Sequence, residues 1–96
     1  MTAALILLAA AHAFDYLTFL VMTARHGLAA ELNPIVVRVS EEFGVPGLTV
    51  VKAISVLILA GVVMLLSPQR RRLAIVVVVI GITVGIVGGV SNIATI

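Results

Sequence analysis

Asp15 interrupts a run that is otherwise suited only to hydrocarbon. From Ala3 to Thr23 the chain reads AALILLAAAHAFDYLTFLVMT, about the twenty residues a helix needs to cross a bilayer core. An ionisable side chain near the middle of such a span costs several kcal/mol by insertion scales (about 2.5–3.5 kcal/mol for an aspartate), so it faces protein or water and takes a partner. The partner has to come from another apolar run. Lys52 stands in the second such run and Asn92 in the third.

Those runs dominate the chain. Apolar residues make up 62% of its 96 positions and charged residues 10%, with a mean hydropathy of +1.35. Ordinary soluble domains are about half apolar and about a quarter charged. The polar residues also fall in blocks between the apolar stretches, as a bilayer requires. The expected fold is all-α and integral to a membrane: one domain over 1–96, with transmembrane helices at about 3–23, 48–66 and 73–95. The Val76–Ile80 run would favour a strand in water, but a lone strand in lipid leaves its backbone unpaired, so helix wins.

Between the first two spans, Asn33 to Gly44 reads as a short helix at about 34–43. Asn33 is a good N-cap, Pro34 suits the first helical position and Gly44 suits the stop. Ile35, Val36, Val39 and Phe43 share one face and Arg38, Glu41 and Glu42 the other, the pattern of an amphipathic helix lying in the membrane interface. Arg38 is also spaced to pair with Glu41 or Glu42.

The net charge of +2 comes mostly from Arg70, Arg71 and Arg72, between the second and third spans. Positive charge concentrated in a short loop marks the cytoplasmic side, which puts the N-terminus inside and the C-terminus and the 34–43 helix outside a prokaryotic cytoplasmic membrane. A nucleic-acid role is not expected, because one arginine tract beside apolar spans is a topology signal and aromatics are too few for base stacking. Ala11-His12-Ala13 looks like a signal-peptide cleavage site, but no Lys or Arg precedes the run and the run continues past it, so we expect a retained helix.

Topology then sets depth. Asp15 lies about 15 Å below the outer boundary, Lys52 about 7 Å below it, and Asn92 returns to the same half. Glu31 and Asn33 stand at that surface. Asp15, Glu31, Asn33, Lys52 and Asn92 therefore converge as a polar cluster, in which Lys52 is expected to pair with Asp15 or Glu31, the rival being a lysine that snorkels to the headgroups. His12 and Asp15 are three apart on one helix and share a face. That spacing suits a metal or a proton relay, and Glu31 is the protein ligand within reach to complete a metal set. No cofactor or metal is expected. The absence of cysteine removes disulfides, thiolate nucleophiles and Cys-ligated metal sites.

The third span carries Gly81, Gly85 and Gly89, spaced as small-xxx-small, with Gly88 and Asn92 on the same side. In lipid such a ladder lets another backbone approach closely. The sequence leaves three partners open: the chain's own first helix, a second copy, or a larger complex.

Asp15-x-x-Thr18, Glu31-x-Asn33-Pro34, Lys52 and the late Asn92 together resemble the pattern of a family of small bacterial and archaeal three-helix membrane proteins of unknown function. The resemblance covers most of the chain and implies that the polar residues belong together. It brings no activity with it. From the residues, the expected role is non-enzymatic: helix–helix association as an accessory subunit of a larger membrane complex or as a homo-oligomer, with the lipid bilayer and other transmembrane helices as partners. The rival expectation is an oligomeric carrier or channel for an ion, a proton or a small molecule, working through Asp15, Lys52 and Glu31.

Overall fold

The computed structural model describes residues 1–27 and 34–95. Three helices make up the fold: α1 (Thr2–His26), α2 (Pro34–Leu66) and α3 (Arg71–Thr95). Each is long and apolar enough to cross a membrane. Glu31 and Asn33, two of the expected cluster members, lie outside the described residues.

α2 departs from the sequence expectation. A short helix, a connecting stretch and a second span were expected; instead the polypeptide is helical from Pro34 to Leu66 apart from one non-helical residue, Gly44, at φ 71° and ψ −170°. Side chains with a Cβ essentially never adopt that combination, so glycine makes the kink possible. Helix resumes at once because Pro46 falls in the new first turn, where its missing N–H has no intrahelical acceptor to lose. The apolar face expected over 34–43 is also divided. Val36 and Val39 pack against Phe19, Met22 and Leu48, whereas Ile35 and Phe43 are exposed. Arg38 pairs with Glu42, Nε to Oε1, at 3.8 Å.

Most of the interhelix packing joins α1 to α3, the first helix to the last. The glycine ladder explains why. A Cβ on Gly85 would lie 2.9 Å from the carbonyl carbon of Ala11 and 3.0 Å from its oxygen, so the two backbones are in direct contact there. Gly89 holds the ring of Phe14 and Gly81 the tip of Leu8. Of the three partners the spacing left open, the chain's own first helix occupies the ladder. α2 leans on this pair more lightly and leaves Leu57 70% and Leu65 83% exposed.

The buried side chains fall into layers. At one end Leu8, Val63, Ala74 and Val78 form an apolar cluster. At the other Phe19, Met22 and Leu48 form a second, closed over by Tyr16, Leu20, Val36 and Val39. The residues of α1 between these clusters include His12 and Asp15.

Candidate functional site: a polar layer between two apolar ends

Asp15 projects from α1 at mid-length and meets side chains from both other helices. Its Oδ2 accepts a hydrogen bond from Lys52 Nζ of α2 at 2.9 Å, forming one of the two expected ion pairs. Both side chains are about three-quarters buried, at 27% and 26% exposed. Asn92 Nδ2 of α3 donates to Asp15 Oδ1 at 3.2 Å and lies 3.0 Å from the Asp15 carbonyl oxygen. The carboxylate thus ties all three helices together.

Helix bounds account for the Asp15–Lys52 contact. The boundaries taken from sequence put these residues about 8 Å apart in depth. Because α1 runs on to His26 and helical backbone follows directly after Gly44, Asp15 lies about 16.5 Å from its helix end and Lys52 about 12 Å from the kink, by the rise of 1.5 Å per residue. The long lysine stem spans the remainder.

Two members exceed the sequence expectation. His12 Nδ1 lies 2.8 Å from Lys52 Nζ, and His12 Nε2 lies 3.0 Å from the carbonyl oxygen of Gly81. A carbonyl only accepts, so Nε2 carries the ring proton and Nδ1 accepts from the ammonium. Both ring nitrogens are therefore engaged, which removes His12 as a ready metal ligand. Among the described residues no group of three metal-ligating side chains assembles. Thr18 is the second addition. Its hydroxyl donates back to the Phe14 carbonyl at 2.7 Å and accepts from Asn92 Nδ2 at 3.1 Å. The available signal was spacing: His12, Asp15 and Thr18 recur every third residue on α1, so each can follow the same neighbour along a helix. A further bond, between the hydroxyls of Tyr16 and Thr49, joins α1 to α2 near the same layer.

Gly88 belongs to this site more than to the packing ladder. A Cβ there would stand 2.5 Å from Asp15 Oδ1, so its absence makes room for the carboxylate against α3. Gly81 likewise contributes its carbonyl to His12. Among the described residues no buried side-chain nitrogen or oxygen is left without a hydrogen bond.

The layer is not sealed. A cavity of about 600 Å³ lies between α2 and the α1–α3 pair, with Asp15, Lys52 and Asn92 on one wall. Ser55 and Ser91 add hydroxyls, and Phe19, Leu48, Val51 and Val84 supply apolar lining. Ile35 and Val36, ahead of the Gly44 kink, also line it. A second cavity of about 290 Å³ reaches His12 from beside Gly81 and Leu59.

No curated protein and no solved structure matches the chain. A family model, "Domain of unknown function (DUF5658)", matches residues 6–96, a stretch that holds the Asp15–Lys52–Asn92 cluster and the glycines beneath it, and the chain belongs to that family.

Proposed function

We propose that this is a small, non-enzymatic integral membrane protein that binds a small molecule at the Asp15–Lys52–Asn92 layer, as a carrier or as the binding part of a larger assembly. One observation carries the reading: the polar layer forms the wall of a 600 Å³ cavity instead of being packed over. Cavities of about 300–1,000 Å³, mostly apolar with a few convergent polar groups, are the usual form of small-molecule sites. An ion channel within one chain fits less well, because apolar clusters around Leu8 and around Phe19 cap the layer at both ends. In the membrane, we place Arg70, Arg71 and Arg72 in the cytoplasm, the N-terminus with them, and the C-terminus outside. Arg71 and Arg72 stand in the first turn of α3, where cations oppose the helix dipole by about 0.3–1 kcal/mol each, so their presence there is better explained by orientation than by helix stability. The 34–43 part of α2 would then lie as an amphipathic helix at the outer surface, with Ile35 and Val36 at the outer end of the cavity.

A second reading, an accessory subunit or homo-oligomer acting through helix–helix association, draws on α2, whose outer residues Ile54, Leu57, Ile58 and Leu65 are exposed. It no longer draws on the glycines, which α1 fills.

Native mass spectrometry from nanodiscs tests both. The binding reading expects a small-molecule adduct on the wild type that is lost in the Asp15→Asn, Lys52→Met double variant. A wild type that carries no adduct and flies only as multimers, or only with a second polypeptide, would favour association instead.

A further inference from the structure

Building on the small-molecule reading, we infer that the cavity takes an uncharged, bilayer-dissolved amphiphile: an apolar body bearing a carbonyl, ester or hydroxyl oxygen that accepts a hydrogen bond from Lys52.

Charge selects the class. Among the described residues lining the cavity, Asp15 and Lys52 are the charged ones, and they neutralise each other at 2.9 Å. An anionic head would have to take Lys52 from Asp15, and a cationic head would have to take Asp15 from Lys52. Either exchange leaves a charge unpaired in a poorly solvated site, which is strongly unfavourable. An uncharged head displaces nothing. An ammonium has three N–H groups, and Lys52 directs one to Asp15 Oδ2 and one to His12 Nδ1. The third remains for an acceptor in the cavity that Lys52 lines. Ser55 donates its proton to the Val51 carbonyl at 2.8 Å, which leaves the oxygen's lone pairs to receive a hydroxyl.

Access selects the body. The two apolar clusters close the layer towards both helix ends. The rim of the cavity is instead built from exposed residues on the side of the bundle: Val51 of α2, and Val84 and Ser91 of α3. For helices that cross a membrane, that side faces acyl chains. A guest arriving there is already dissolved in lipid, and the remaining walls, Phe19, Val36 and Leu48, match an apolar body.

The test uses the full chain in nanodiscs with two diazirine lipids in parallel arms, an uncharged diacylglycerol and an anionic phosphatidylglycerol, with labelled residues mapped by mass spectrometry. The expected result is diacylglycerol labelling at Val51, Ser55 and Ser91 roughly tenfold above that at the lipid-facing Leu57 and Leu65. Unlabelled diacylglycerol should compete it away, and Val84→Phe, which adds bulk at the rim and removes no polar group, should suppress it. Preferential labelling of the cavity by phosphatidylglycerol overturns the uncharged class while leaving a small-molecule site in place. Labelling by both probes at the level of Leu57 and Leu65, with no competition, overturns the site itself.

Discussion

Adding one methyl group at Gly85 should loosen the whole polar layer, although Gly85 touches none of its side chains. The Cβ of Gly85→Ala would stand 2.9 Å from the Ala11 carbonyl carbon and 3.0 Å from the Ala11 oxygen and Cβ, whereas ordinary contact begins at 3.4 Å. All three contacting atoms are backbone or the first side-chain atom, so no rotamer change relieves the contact. The helices must part locally by about 0.5 Å, the difference between 3.4 and 2.9 Å. Overpacking of this kind costs about 1–3 kcal/mol. Alanine returns at most about 1 kcal/mol of helix propensity over glycine. With the full propensity gain, a net loss of up to about 2 kcal/mol remains, about 1 kcal/mol at mid-range.

Gly61→Ala supplies the matched control, because nothing lies within 4 Å of a Cβ there. Only the propensity gain applies, so that variant should be neutral or more stable by up to about 1 kcal/mol. The two alanines should therefore differ by about 2 kcal/mol, more than tenfold in the folding equilibrium. Equilibrium unfolding in mixed detergent–SDS micelles, followed by circular dichroism, measures the difference. Asn92 lies two helical turns beyond Gly85, so Gly85→Ala should also weaken the Asn92–Asp15 bonds, seen as faster amide exchange around Asp15. If Gly85→Ala is as stable as Gly61→Ala, the close α1–α3 approach is wrong and with it the geometry of the layer.

Three further outcomes are expected. Asp15→Asn and Lys52→Met should each cost about 3 kcal/mol, the low end for a buried pair because a quarter of each side chain is exposed, while the double variant recovers most of the loss; strictly additive losses in the same unfolding assay would show that the pair is not coupled. Gly44→Ala should cost about 1–3 kcal/mol and lengthen the spin-label distance between positions 36 and 91, because alanine cannot hold φ 71° with ψ −170°; an unchanged distance rules out the kink as what seats Val36 at the cavity. Single cysteines at Ser40 and Gln69 should react with an impermeant maleimide from opposite faces of the membrane, and labelling of both from one face would exclude the proposed topology.

The sequence made the Asp15–Lys52 pair legible because a charge in an apolar span has few ways to be tolerated, and rise per residue brought Asn92 to the same level. It did not expose His12 as the acceptor for Lys52. A histidine one turn from an aspartate reads equally as a metal ligand, and only the position of α2 decides which nitrogen meets what. The family pattern included Thr18 but not its role: a threonine bonding back to its own helix is common, and its second bond needs Asn92 in place. The glycine spacing announced a close neighbour without naming it, since small residues record that a backbone approaches and not whose. Gly44 was legible as a stop, yet the immediate resumption of helix depends on Pro46 and on the packing of Val36 and Val39, which lie beyond local propensity. Glu31 and Asn33 fall outside the described residues.

The pairing of the first helix with the last has a consequence for how the chain enters a membrane. α1 is made before α3, so the surface it fits best, along Gly81, Gly85 and Gly89, is not yet present when α1 leaves the ribosome. α2 arrives in between and offers α1 little direct packing. Until α3 is inserted, Asp15 waits with Lys52 as its principal partner, helped by the Tyr16–Thr49 bond. The ion pair therefore serves as a temporary clasp on a two-helix intermediate. Asn92, three residues before the end of the described helix, closes the layer only once most of α3 has been made. A chain interrupted before Gly81 would therefore hold a two-helix hairpin whose α1 lacks its close-packed partner.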